Sequence, residues 1–234
     1  MQFGMIWVNH KDLIIKGKYF LVVGCFLLFT ITGCIAPVAK PVEYDVNLSQ
    51  ASKMLNLNTE IISKTETKIV IEYQLENNSD SSIYLFDILF AGWTNQGIPI
   101  ADVQEVYRLI INGEIVLSRK VMLVPDDIDL EIRQYPLLVR VNPGQTHISS
   151  FEVKLPCRIY DPYDYKPEKI AEIKELPWSL ELGYVEATPQ LEQRLKPQQT
   201  TGGRQGWMIQ SFNESHQKLI RVSGTGTLPC LQPI

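Results

Sequence analysis

Histidine is scarce in this chain, three among 234 residues, and cysteine is limited to four. An excess of charge of one sign is also missing. Lys+Arg is 22 against 26 Asp+Glu, a formal charge of −4. That balance leaves no basic footprint for nucleic acid. Neither Cys157 nor Cys230 has a second Cys or His at ligand spacing, which argues against a zinc site. Gly202-Gly203-Arg204 lacks the Lys-Ser/Thr of a phosphate loop, and no repeat of fixed period is present. The longest apolar run, Tyr19 to Thr32, falls short of the roughly twenty residues that cross a bilayer comfortably. What is present, 45% hydrophobic and 21% charged residues, excludes a mainly disordered chain.

The apolar run is itself informative. Lys11, Lys16 and Lys18 precede it, and it ends at Ile31-Thr32-Gly33-Cys34. A positive flank followed by a short apolar stretch has the form of a secretory leader. The tetrapeptide resembles the lipobox of bacterial lipoprotein signal peptides. That resemblance implies cleavage after Gly33, lipid on the Cys34 sulfur and acylation of the new amino terminus, with no other cofactor. Two anchoring signals hold a chain stably on a membrane, at about 0.8 kcal/mol per buried CH₂. Ile35 stands where many inner-membrane lipoproteins of Gram-negative bacteria carry Asp, so the same resemblance implies the outer membrane in such a host. An uncleaved membrane helix is the alternative. The expected organisation is a leader over 1–33, a lipidated tether with Pro37 and Pro41 over 34–55, and a domain over 56–234.

With Cys25 lost in the leader and Cys34 lipidated, Cys157 and Cys230 remain. Two thiols in an oxidising compartment are expected to pair, which would stabilise the fold by about 4 kcal/mol in the chain-entropy picture. Two unpaired buried thiols are the alternative.

Beyond Leu57 the helical period nearly vanishes. Ile69, Ile71, Tyr73 and Leu75 alternate with polar residues, the pattern of a half-buried strand. Ile83 to Phe90 is almost continuously apolar, as for a strand covered on both faces. Asn112-Gly113 predicts a hairpin pairing Ile111 with Glu114, Leu109 with Val116 and Glu105 with Lys120. Asn142-Pro143-Gly144-Gln145 predicts a type II turn and a second hairpin, 137–141 with 146–155. Further strands are expected at 178–186, 207–212 and 217–223, a helix at 167–176, and a long exposed loop at 187–205. About ten strands without alternating helices predict an all-β, antiparallel β-sandwich. The Val141–Gln145 turn, the alternating strand after it and Leu155-Pro156 resemble the late-strand layout of bacterial immunoglobulin-like domains.

Chemistry-bearing residues are sparse. His147 lies in phase with Phe151, Val153 and Leu155, at the margin of a core, and His216 falls in an exposed connection. Asp87 interrupts an apolar strand on the face of Ile83, Leu85 and Leu89. A buried carboxylate there needs partners or a raised pKa, with a structural role favoured over a catalytic one. Asp126, Asp127 and Asp129 offer hard oxygen ligands for calcium but lack EF-hand spacing, so a solvated loop is the simpler reading. Tyr160, Asp161, Tyr163, Asp164 and Tyr165 form a proline-containing loop that either presents a contact surface for a partner or covers a sheet end. The sequence therefore points to a non-enzymatic envelope lipoprotein that binds an envelope protein or glycan. A sandwich-type protease inhibitor or chaperone acting through a loop or sheet edge comes second. A carbohydrate-active surface enzyme using paired carboxylates comes third.

Overall fold

The computed structural model describes residues 54–96, 98–102, 104–125, 128, 135–163, 171–201 and 203–233. The expected leader, Cys34 and nearly all of the tether lie outside these residues, as do Asp126, Asp127, Asp129, Asp164 and Tyr165.

Strand follows strand through the described chain, in two sheets. The smaller holds β1 (Leu55–Lys64), β2 (Lys68–Asn77) and β8 (Thr146–Lys154), all antiparallel. The larger runs β11 (Leu195–Gln199), β12 (Gln205–Ile209), β7 (Leu137–Val141), β3 (Ile83–Trp93), β10 (Ala171–Glu186), β13 (Lys218–Pro233) and β9 (Cys157–Arg158). β4 (Pro99–Asp102) pairs with the far half of β3. The hairpin of β5 (Tyr107–Ile111) and β6 (Glu114–Arg119) lies along β10.

Period-two alternation explains the layering. Ile69, Ile71, Tyr73 and Leu75 of β2 share one buried core with Leu180, Leu182 and Tyr184 of β10 and with Phe151 and Val153 of β8. Both sheets contribute to that core, so the fold is all-β and sandwich-like. β3 faces two cores. Ile83 and Leu85 enter the first, while Tyr84 and Phe86 join Leu138, Leu195, Ile209 and Phe212 in a second. Its apolar run, broken only by Asp87, is the signature of that double covering. Two pairings, β10 with β6 and β13 with β9, are parallel, so the larger sheet is mixed rather than purely antiparallel.

Local turn chemistry reads through to structure. Asn112 and Gly113 both take positive φ (52° and 78°), and Ile111 pairs with Glu114 and Leu109 with Val116 as expected. The Glu105–Lys120 pairing does not follow. β5 begins at Tyr107, Glu105 binds Arg108, and Lys120 binds Glu181 of β10 at 2.6 Å. The turn at Asn142 also forms, with Gln145 N–H donating to the Asn142 carbonyl at 3.0 Å and Gly144 at φ 70°. It is not a hairpin turn, however. β7 pairs with β3 and β12 and β8 pairs with β2, so the turn carries the chain from one sheet to the other.

Three further expectations are corrected. Residues 171–176 are strand, not helix, because they pair with Leu228–Pro233 of β13, and that ladder overrides a weak local helical period. The expected loop 187–205 contains a helical turn, α1 (Pro189–Glu192), capped by the Thr188 hydroxyl, and strand β11. The expected strand 217–223 continues far beyond its limit, to Pro233. Where β10 and β13 cross the core edge, the register jumps, leaving Gly224, Thr225 and Gly226 opposite Trp178. The indole packs flat on that bulge and donates to the Thr225 carbonyl at 3.3 Å. A Cβ on Gly224 would lie 2.0 Å from the ring.

Candidate functional site

Among the described residues, a connected set of titratable side chains lies between the sheets. β3 supplies Asp87, at the residue where its register against β7 shifts between Phe86 and Ile88. A bulge re-aims a side chain, and here the carboxylate turns into the sandwich. Arg119 ends β6 and enters from the same sheet. The other layer contributes Tyr73 of β2 and, on β8, Ser149 directly across from it, with His147 two residues earlier on the same face.

Asp87 and Arg119 are both fully buried. Arg119 Nη1 donates to Asp87 Oδ1 at 2.8 Å, to Tyr73 Oη at 3.4 Å and to Ser149 Oγ at 3.5 Å, and its Nε donates to the Glu105 carbonyl at 3.2 Å. The Tyr73 hydroxyl also donates to Asp87 Oδ1. His147 Nε2 lies 3.1 Å from Asp87 Oδ2, with the ring 17% exposed at the core margin. The guanidinium carbon sits 5.1 Å from the Phe151 ring centre and 5.9 Å from that of Tyr73, close enough for cation–π attraction. Burial pushes the Asp87 carboxyl pKa up. The Arg119 charge and the hydrogen bonds from His147 and Arg119 outweigh it, so the pKa falls below its ordinary value.

This is a charge pair consumed by its own surroundings. Among the described residues, no buried side-chain nitrogen or oxygen lacks a hydrogen-bond partner. Ser149, His147 and Asp87 do not make a nucleophile–base–acid relay: Ser149 bonds to Arg119, and His147 to Asp87. Asp87 and His147 were visible in sequence as isolated oddities. Arg119 and Tyr73 were not marked. The signal for Arg119 was the need of a buried carboxylate for a cation near a strand end.

The tyrosine loop is placed in part. Tyr160 forms a bridge with Arg108 of β5, its ring 5.2 Å from the Arg108 guanidinium and 5.7 Å from the Tyr107 ring. The Tyr163 amide donates to the Asp161 carboxylate at 2.9 Å. Burial, with Tyr160, Tyr163 and Asp161 nearby, pushes the Tyr107 hydroxyl pKa up. Tyr160 is 38% exposed, so it both covers the β5 edge and presents a face outward. Asp164 and Tyr165 lie outside the described residues.

Cys157 and Cys230 are both buried free thiols, so the expected bridge is not formed in this structure. They are nonetheless direct partners across the β9–β13 pair. His216 is exposed, in a short 3₁₀ turn. Among the described residues no group of three or more His, Cys, Asp or Glu side chains is placed to hold a metal ion. None of their helices is long and apolar enough to cross a membrane. Comparison with protein-family models, with curated proteins and with solved structures finds no match.

Proposed function

We propose that the chain is a cell-envelope lipoprotein, held to a membrane through acyl chains on Cys34, whose sandwich body binds or scaffolds another envelope protein or glycan without catalysing a reaction. The observation that carries this reading is the Lys-flanked apolar run closing on Ile31-Thr32-Gly33-Cys34. The body lends support. Its strongest acid–base cluster is shut between the sheets and binds itself, which is the behaviour of a structural element. In a Gram-negative host, Ile35 after the cysteine favours the outer membrane. The face offered to a partner is the loop carrying Tyr160, Asp161 and Tyr163.

The test uses the full chain expressed in a bacterial host. Metabolic labelling with an acyl-chain probe should mark the wild type and not Cys34→Ser. Equal labelling of the variant rules out the anchor. Affinity capture from native membranes should recover a partner that Asp161→Lys loses, and unchanged capture removes the tyrosine loop from the binding face.

A second reading, an inhibitor or chaperone working by strand addition, has one observation in its favour. β1 is ten residues long and pairs along one edge with β2, with no strand on its other edge among the described residues. A Pro placed at Thr59, whose N–H faces that open edge by the alternation that turns the Met54 carbonyl to Asn78, should then abolish client binding while leaving acyl labelling intact.

A further inference from the structure

We propose that Cys157 and Cys230 are joined by a disulfide in the functional protein, and that this bond locks the seam at which the large sheet closes on itself. The seam is a four-residue segment. β9 joins β13 by pairing Cys157 with Cys230 and Arg158 with Leu231. Two residues later, Tyr160 exchanges backbone hydrogen bonds with Arg108 at 3.0 and 2.8 Å, on the edge of β5. Without this segment β13 and β5 are separated by β10 and β6. Residues 157–160 therefore turn five strands into a hydrogen-bonded ring, and its weakest link is the two-residue strand β9.

Geometry and chemistry both favour a bridge there. Paired strands run about 4.8 Å apart, inside the Cα separation of about 4.4–6.8 Å that a disulfide spans. The two side chains leave neighbouring, directly paired residues of β9 and β13, both buried. Each shifts the other: nearness to Cys230, with burial, pushes the Cys157 thiol pKa up, while nearness to Cys157, together with Arg108, holds the Cys230 thiol below its ordinary pKa against the opposing effect of burial. Cys230 is thus the first thiolate. It attacks a disulfide of an external oxidant, such as oxidised glutathione or a dithiol oxidoreductase, and releases one thiol. The Cys157 sulfur then loses its proton and displaces the second. Two S–H bonds break and one S–S bond forms. Both electrons and both protons leave with the oxidant's two sulfurs.

Burial adds a kinetic condition. Cys157 and Cys230 are at 0% and 1% exposure, so no oxidant reaches them while β9 is docked. Oxidation of the folded chain must wait for 157–160 to lift, and the contacts of Tyr160 with Arg108 and Tyr107 resist that lifting.

The thiol state in cells rests on the exported placement proposed above; the chemistry of the pair does not. In the full chain, purified reduced and treated with oxidised glutathione, Cys157 and Cys230 should each lose one hydrogen and keep no glutathione adduct, whatever becomes of Cys25 and Cys34. Peptide mapping should recover the Cys157 and Cys230 peptides linked, with a Tm several degrees higher than in the reduced form. Tyr160→Ala should speed that oxidation several-fold. Two free thiols after oxidation of both folded and refolding protein would overturn the bridge, as would a linked form of lower Tm. An unchanged rate in Tyr160→Ala would overturn the gating seam. Both thiols alkylatable in acid-quenched cells would overturn the bridge in the functional protein, and acyl labelling of Cys34 in the same cells keeps that result separate from a failure of the exported placement.

Discussion

The Asp87 carboxylate, fully buried, is held by Arg119, Tyr73 and His147. Replacing it by Asn keeps the shape but leaves the Arg119 guanidinium without its counter-charge between two sheets. Breaking one half of a buried pair costs about 3–5 kcal/mol, and Asp87→Asn and Arg119→Met should each lower stability by that amount in denaturant unfolding. Acid provides an independent check. The native carboxyl titrates below its ordinary value near 3.8. Its contribution is therefore complete above the unfolded value and is lost as pH falls below it toward the native one. Between those limits the wild type should lose stability with a slope steeper than Asp87→Asn by up to one proton, about 1.4 kcal/mol per pH unit. Equal acid slopes would show that folding does not lower the Asp87 pKa. Sequence marked this residue because a lone carboxylate in an apolar run is conspicuous. It could not mark Arg119, whose partner lies 32 positions earlier in the chain and is reached only when β3 and β6 enter the same sheet.

At the scale of elements, the long β10–β13 ladder carries the clearest constraint. Trp178 lies flat where Gly224 has no side chain, and a methyl group placed 2.0 Å from the ring has nowhere to go. Gly224→Ala should force the indole off its site and cost at least about 1–3 kcal/mol, the usual range for overpacking. A loss of its near-ultraviolet circular dichroism signal would report the movement. Gly113→Ala should cost less, because that position is strained only by its φ of +78° and meets open space. The two glycines also show what a linear reading can and cannot reach. Gly113 was legible because Asn-Gly fixes a turn from two adjacent residues. Gly224 was not, because the ring that requires it belongs to a strand 46 positions away, and a still longer separation hid the pairing of 171–176 with 228–233. The apparent second hairpin at Asn142 failed for a related reason. Its turn geometry is local and correct, whereas the choice of sheet for each flanking strand is not.

For the whole molecule, alternation alone was enough to give the all-β sandwich, since each strand's apolar face must meet another layer. It could not give the order of strands or the two parallel pairings, which join segments far apart in sequence. Such distant pairing should make folding slow. Refolding from denaturant is expected on the millisecond-to-second scale typical of non-local β folds, and stopped-flow fluorescence of the buried Trp178 would follow it. Microsecond recovery would mean that the ladder between β10 and β13 is not what limits assembly.

Greasy side chains attract one another without preferring any alignment, so two facing layers held by them alone are free to creep. The guanidinium spanning from β6 to Tyr73 and Ser149 of the opposite layer acts as a dowel instead. Substituting the pair together, Asp87→Leu with Arg119→Met, should restore most of the stability that either single change removes, while amide exchange along β2 and β8 quickens. The molecule would be as hard to melt and less certain of where its two halves rest.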